Sequence, residues 1–530
     1  MVSIITNQIG YLAKDKKIAV FRNVNATTFS VIDLSSGKVI ITKEVSSPFK
    51  NGNADEINVW GDFSEVTQQG KYQIMMEGCD ASYPFTIDND VYKPVLRDLF
   101  RMFYLQRCGC EVTKDLAGDF AHPPCHNTLA TIYGTDRKVD VTGGWHDAGD
   151  YGRYIVAAAV TVADLLLAYE TNPTVLVQNF HIPESGQAIP DLLSEVRYEL
   201  DWMLKMQDPQ TGGVYHKVTC ASFPGFVMPE YETEELIISP ISVTATATFA
   251  AAMAMSVRFY SNYDKEFSKK CYDAAIHAWS ALESLDMPGG FKNPPGIVTG
   301  EYGDATDIDE KYWAAAELYK LTGNQEYHQY FKNLVKEKIL HGYGWEDVGS
   351  FGNAAYMTTS YPVDKDTMTT ITDSIKELAD ILLDRSKKDG YGISLAEEDY
   401  KWGSNMVVAN NGLHLIDAFH LTNNASYKHA AKEHLHYLLG KNPMATCYVT
   451  GHGTVTPIHP HHRQSAAMDS PMQGMLVGGP DAGLHDPLVA KELVGMPPAK
   501  CYIDHLDSYS TNEITIYWNA PLIYLLAELV

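Results

Sequence analysis

Leu318-Tyr-Lys-Leu-Thr-Gly-Asn-Gln-Glu-Tyr327 and Ala418-Phe-His-Leu-Thr-Asn-Asn-Ala-Ser-Tyr427 repeat one pattern at two places in the chain. Each copy ends an apolar-faced run, turns at Gly323 or Asn423, and resumes after Asn324 or Asn424. Gly and Asn tolerate the left-handed backbone that closes a helix, so each copy predicts one helix ending and the next beginning. Phe259-Tyr-Ser-Asn-Tyr263 is a weaker echo. Around these points, the stretches 155–169, 189–206, 243–260, 371–383 and 411–420 carry apolar residues at three- and four-residue spacings, the mark of amphipathic helices. Helical hairpins repeated along one domain predict a solenoid or a closed α/α toroid. Few convincing strands interrupt the helical stretches after Val91.

The first 85 or so residues read differently. Lys17-Ile-Ala-Val-Phe21, Phe29-Ser-Val-Ile-Asp33 and Tyr72-Gln-Ile-Met-Met76 are short β-branched and aromatic runs separated by turn signals, which predicts a small β-sandwich. At 530 residues, 45% hydrophobic and 11% aromatic, the chain is too long for one ordinary domain and too apolar to be disordered. Its 41 basic and 66 acidic residues leave a net charge of −25, which argues against nucleic acid as a partner and favours a neutral or cationic substrate. No apolar stretch approaches the ~20 residues that span a bilayer, so no membrane partner is expected. The opening residues show neither a basic start nor an apolar run, so a cytoplasmic location is expected, or secretion if a leader has been removed. Eight cysteines are too sparse for a disulfide framework, and three of them crowd between Cys108 and Cys125.

Three segments hold the candidate chemistry. Gly143-Gly-Trp-His-Asp-Ala-Gly-Asp-Tyr-Gly-Arg-Tyr154 sets Asp147 and Asp150 three apart across an Ala-Gly step. Like charges this close suit a metal or one shared water molecule; the structural alternative is an Asp-rich turn with Asp150 capping the next helix. Trp145 and Tyr151 beside them are candidates for stacking on a sugar. Near the C-terminus, Glu513 lies at the start of the last helical run with Tyr509, Tyr517 and Trp518 around it. Burial there would keep the carboxyl protonated as an acid; the alternative is a glutamate serving the helix dipole. Between them, Pro457-Ile-His-Pro-His-His-Arg463 offers His461 and Arg463 as donors to sugar hydroxyls, with His459, His461 and His462 as metal ligands the competing reading. A pair of aspartates and one protonated glutamate is the equipment of glycoside hydrolysis.

Over nearly its whole length the chain resembles the family 9 glycoside hydrolases. Asn7-Gln-Ile-Gly-Tyr11 is similar to the opening of the immunoglobulin-like domain that precedes many of these enzymes, and Trp145-His-Asp-Ala-Gly-Asp150 to their paired-aspartate motif. Trp402-Gly-Ser-Asn405 and Leu438-Leu-Gly-Lys-Asn-Pro443 are also typical, and Tyr502, Asp504, Tyr509, Glu513, Thr515, Asn519 and Ala520 match the acid signature. The chain departs from the pattern at Cys447 and Val455, and at His505 and Leu506, where an Asp-Arg pair is common. The resemblance implies a mainly α protein: a small immunoglobulin-like β-sandwich over 1–88, then an (α/α)6-barrel catalytic domain over 89–530. It implies Asp150 as general base, Asp147 as its helper in holding water, Glu513 as general acid, and His461 and Arg463 on the sugar, with Trp145 and Tyr509 as further substrate contacts. Inversion by such a pair needs the two carboxyl groups about 6.5–9.5 Å apart.

The same resemblance makes Cys108, Cys125, His126 and His146 a structural zinc site, the thiolate–imidazole mixture being one that Zn²⁺ prefers. His122 and Cys110 are alternative ligands, and reduced, buried cysteines beside unrelated histidines are the plain reading. Asp304, Asp307, Asp309, Glu310 and Asp347 offer hard oxygens, and calcium on Asp307, Asp309, Glu310 and Asp347 competes with a solvated acidic loop. No organic cofactor is expected. The leading expectation is an inverting β-1,4-glucanase of the endoglucanase kind acting on β-glucans or cello-oligosaccharides. Its neighbour is an exo-acting β-glucosidase or exo-β-glucosaminidase on imported cello- or chitosan-oligosaccharides. A zinc hydrolase built on Cys108, Cys125 and His126, and a non-catalytic sugar-binding protein, are the readings from other classes.

Overall fold

The computed structural model describes residues 3–287 and 290–530. The chain forms two compact units, one made of Met1–Met102 and Glu377–Val530, the other of Phe103–Lys376.

In the first unit the N-terminal strands are β1 (Ile4–Ile5), β2 (Gly10–Tyr11), β3 (Ile18–Arg22), β4 (Thr28–Asp33), β5 (Val39–Glu44), β6 (Phe49–Asn51), β7 (Glu56–Asp62), β8 (Gly70–Met75) and β9 (Phe85–Ile87). They pair into two sheets, β1-β3-β7-β6 and β2-β9-β8-β4-β5. Tyr11, Phe21, Phe29, Val31, Phe63, Tyr72, Ile74 and Phe85 point inward from both sheets and bury one another, with Phe63 and Phe85 edge-on to Tyr11 at 5.3 and 5.5 Å. Alternation along each strand produces this apolar layer, and it is why the short β-branched runs were legible in the sequence. β9 ends at Ile87 and the first helix, Lys93–Leu105, follows.

The sandwich grips a loop from the far end of the chain. The Gln8 amide nitrogen donates to Leu439 O at 2.9 Å, and its side chain donates to Ala445 O at 2.7 Å while accepting from Thr454 N and Val455 N. Asn7 Nδ2 meets His436 Nδ1 at 2.9 Å, and Arg22 donates to Pro443 O at 2.5 Å. The contact at Val455 runs through its backbone, so the side chain there is free to depart from the family pattern.

The repeated decapeptides are the turns of helical hairpins. Ile308–Thr322 ends at Gly323 with φ +69°, and Gln325–Glu337 begins after Asn324, whose side chain accepts from Glu326 N. Ser404–Thr422 ends at Asn423 with φ +56°, and Ala425–Leu438 begins after Asn424. Val243–Tyr260 and Lys265–Ala281 form the echo, capped by Asp264 instead. The stretch 371–383 is the middle of a longer helix, Lys365–Lys388. The last helix, Ile516–Leu529, is buried on every side, which its uniformly apolar sequence requires.

The second unit also contains a sheet that the sequence did not announce: β10 (Ala130–Ile132), β11 (Lys138–Val139), β12 (Arg153–Tyr154), β13 (Lys217–Thr219) and β14 (Ile237–Ile238), ordered β11-β10-β14-β13-β12. Strands of two or three residues are too short to show a period. Among the described residues no helix is long and apolar enough to cross a membrane. The hairpin reading predicts that Asn424→Ala, which removes the bond to Ser426 N at 3.0 Å, lowers stability by about 1 kcal/mol, read as a lower midpoint in thermal or denaturant unfolding.

Candidate active site

Within the second unit, residues 143–154 fold over the helix Asp191–Lys205. Glu195 and Glu199 lie four apart on one face of that helix. The Trp145 backbone N–H donates to Glu199 at 2.6 Å and its indole N–H to Glu195 at 2.8 Å. Arg107 donates to both Glu195 and Glu184, compensating the buried charge. Gly144 adopts φ +78°, and any Cβ there would strike the Trp202 ring. Trp145 is 1% exposed and packs on Phe103. Its expected role as a sugar platform is therefore corrected: the ring is buried inside the protein. Tyr151 is likewise buried and donates to Val227 O.

The two aspartates receive distinct treatment. Asp147 accepts from the Tyr302 hydroxyl on Oδ2, while Oδ1 has no hydrogen-bond partner among the described residues. Burial raises its carboxyl well above the usual range against that hydrogen bond, and the neighbouring Asp150 adds to the rise. Asp150 Oδ2 accepts from Gly152 N at 2.9 Å and from the Tyr154 hydroxyl at 3.3 Å. A Cβ on Gly152 would lie 2.7 Å from that oxygen, so the backbone can approach the carboxylate only as glycine. Tyr302 was missed in the sequence because it stands in Gly300-Glu-Tyr-Gly303, far from the motif it serves. Its φ of +47° is unusual for a tyrosine and marks a residue held by its surroundings.

His146 points to the other side of the same loop. Its ring, with Cys108, Cys125 and His126, forms a buried group whose donor atoms all lie within 4.8 Å of one another. The Cys125 sulfur is 3.8 Å from His146 Nε2, close to the ~3.6 Å that two ligands on a tetrahedral zinc would show. His126 Nε2 pairs with Glu232 at 2.8 Å, and the same imidazole interacts with Cys108. A carboxylate behind an imidazole is the usual support for a metal ligand. Burial opposes ionisation of Cys108, but the Cys125 thiol, Arg153 and His146 outweigh it and hold the thiol well below its ordinary range. The donor set fits a soft or borderline cation. His122 instead gives Nδ1 to Pro123 O.

A second group gathers Asp304, Asp309 and Glu310. Glu310 is fully buried and neither carboxylate oxygen has a hydrogen-bond partner among the described residues. Burial pushes Asp309 up to about 7 and Glu310 well above its usual range, with the neighbouring carboxylates adding to both. Asp304 takes the place expected of Asp307, which pairs with Lys311 one helical turn on at 2.8 Å. Asp347 accepts from Gly349 N at 2.9 Å and lies near enough to raise Asp309.

In the first unit, Glu513 stands between the short helix Tyr509–Asn512 and the final helix, in extended conformation. It bridges to His461. The final helix starts at Ile516 with Thr515 as its cap, so Glu513 precedes the helix instead of opening it. The acid signature reads as a set of fasteners. Asp504 accepts from Ile458 N, His459 N and Asn512 Nδ2, Tyr502 donates to Asn512, and Asn519 holds Leu99 O and Gly474 O. His461 Nδ1 donates to Leu506 O at 2.6 Å, a backbone contact indifferent to the Leu506 side chain. Arg463 opens the short helix Arg463–Ala467. Tyr509 lies 5.2 Å from the Trp402 ring and 6.0 Å from His461. Burial, then Asp486 and Glu513, raises its phenol. Trp402, 43% exposed, supplies the open aromatic face that Trp145 does not. Cys447 is a buried thiol pushed up to about 12, hence inert.

Comparison with known proteins identifies the family. The model of glycosyl hydrolase family 9 matches residues 92–526, and that of the cellulase N-terminal ig-like domain residues 2–81. The chain is 39% identical to a cellodextrinase of Butyrivibrio fibrisolvens over all of both chains. It is 36% identical to endoglucanase D of Acetivibrio thermocellus, over 99% of this chain and 83% of that one. A mutant thermostable endoglucanase from Alicyclobacillus acidocaldarius superposes with a TM-score of 0.94 at 37% identity, covering 100% of this chain and 99% of the other. A solved complex of AaCel9A with cellobiose-like isofagomine gives 0.94 at 38%, covering 99% of each. The fold is therefore mainly α, an (α/α)6 barrel preceded by a small immunoglobulin-like β-sandwich, and the chain belongs to glycosyl hydrolase family 9, a glycoside hydrolase of the β-1,4-glucanase type.

Proposed function

We propose that the chain hydrolyses β-1,4 bonds of soluble β-glucans and cello-oligosaccharides with inversion, Asp150 being the general base and Glu513 the general acid. Asp150 takes a proton from water as the water oxygen bonds to the anomeric carbon. The bond to the leaving oxygen breaks, and Glu513 gives that oxygen its proton. The observation that carries this reading is the division of labour at Asp147 and Asp150. Tyr302 occupies one oxygen of Asp147 and leaves the other for a water molecule, while Gly152 N and Tyr154 orient Asp150. His461, Arg463, Tyr509 and Trp402 are the proposed sugar contacts. The full-length relative that is a cellodextrinase favours short chains as substrate. The boundary between the sandwich and the catalytic domain is placed at 88/89.

The Cys108, Cys125, His126 and His146 group is proposed to hold zinc. Four protein ligands leave no position for substrate, so the metal would brace the loop that carries Asp147. The Asp304, Asp309 and Glu310 group is proposed to hold calcium, whose charge would offset three carboxylates that burial otherwise opposes.

Asp150→Asn and Glu513→Gln should each lose about 10²–10⁴-fold in turnover on cellotetraose with an unchanged circular dichroism spectrum; near-normal turnover in either variant removes that residue from its role. Proton NMR of the first product should show the α-anomer, and a β-anomer would exclude single displacement. Elemental analysis should find about one zinc per chain, lost in a Cys108→Ser/Cys125→Ser variant with a lower melting midpoint; zinc-free protein of full stability contradicts the site. A product time course on cello- and chitosan-oligosaccharides separates internal cleavage from trimming of one sugar at a time.

A further inference from the structure

Lys217 is wholly buried, and nothing in the hydrolysis scheme calls for a lysine there. A buried ammonium persists only where its protons find acceptors. Here the acceptors are Gly300 O at 2.5 Å, Asn293 Oδ1 at 2.7 Å, Thr299 Oγ1 at 3.0 Å and Thr299 O at 3.3 Å. All belong to one segment, residues 293–300. Lys217 is also the cross-strand partner of Tyr154 in the β12–β13 pair, with Nζ 5.5 Å from the centre of that ring. Tyr154 donates to Asp150.

The residue just before β13, His216, works on the same segment. The His216 ring stacks on Phe291 at 3.6 Å. With Nδ1 accepting from Ser242 at 2.8 Å, its Nε2–H donates to Glu301 O at 3.0 Å. Burial keeps this imidazole neutral, down to about 3, which suits that tautomer. Two successive residues, His216 just before β13 and Lys217 at its start, thus pin residues 291–301. The next residue is Tyr302, whose hydroxyl serves Asp147 and whose ring packs on Tyr154 at 4.8 Å and Trp345 at 5.1 Å.

We propose that Lys217 is a positioning residue for the paired aspartates: its ammonium ties the 293–302 segment to β12, so that Tyr302 stays on Asp147 and Tyr154 on Asp150. The proposal rests on the reading of Asp150 as the base. The carboxylates facing the ammonium are Asp150 and Glu301, and its other titratable neighbours are Tyr154 and His216. Burial brings Lys217 down to about 8 against the pull of Asp150 and Glu301, so it is a cation in neutral and acidic assays.

The test is kinetics of the full chain on cellotetraose. Lys217→Met should lose about tenfold or more in kcat with KM changed less than about threefold. Asn293→Ala, which removes one acceptor and keeps the others, should lose less. A kcat for Lys217→Met within about twofold of wild type, or a loss that lies in KM with kcat kept, overturns the proposal. If Lys217→Met does not fold, an Asn293→Ala enzyme with wild-type kcat overturns it instead. Asp150→Asn run in parallel separates the two readings: if it stays active the assignment of the base fails, whereas an inactive Asp150→Asn with a normal Lys217→Met removes only the tie.

Discussion

The suspension of Trp145 from two glutamates of one helix governs the second unit. Its backbone and indole N–H groups end on Glu199 and Glu195, four residues apart, and this fixes both the height and the rotation of the loop that follows. Once Trp145 is fixed, His146 is sent to the cysteine group and Asp147 to Tyr302. Glu195 carries its charge into the interior only because Arg107 meets it there, and the residue after Arg107 is Cys108. One charge cluster therefore secures the loop, supports the cysteine–histidine group and leaves an aspartate facing Tyr302.

The first unit solves the same problem by different means. No metal group gathers around Glu513 among the described residues; its surroundings are knitted by side-chain amides and carboxylates bonded to backbone. Asp504 holds three partners, Asn512 takes the His459 carbonyl, and Asn519 joins the first helix at Leu99 to the loop at Gly474. Polar residues that fasten main chain in this way need a particular shape and reach.

Legibility in the sequence followed physical range. Helices that repeat a turn, as at Gly323 and Asn423, declare themselves locally, and so do strands long enough to alternate. The aspartate motif and the acid signature were legible because their residues are contiguous. Trp145 was misread because an aromatic beside two carboxylates looks the same whether it faces solvent or a buried glutamate fifty residues on. Tyr302, Glu195 and Lys217 act on the motif from separate segments, and only tertiary contact reveals them. Asp304 displaced Asp307 in the acidic group because Asp307 found Lys311 a single turn away, a competition that spacing alone does not rank.

The grip of Gln8 on the 439–455 loop bears on how the molecule is made. The Gln8 side chain and Ala445 are 437 positions apart, so on the ribosome the sandwich emerges first and waits through most of synthesis for the segment that completes its surface. Until then, the amides and carbonyls around Gln8 are satisfied by solvent, and the site remains open to wrong partners. A chaperone or a slowed ribosome acting as residues 439–455 emerge would therefore influence the yield of native enzyme more than one acting while the first domain folds.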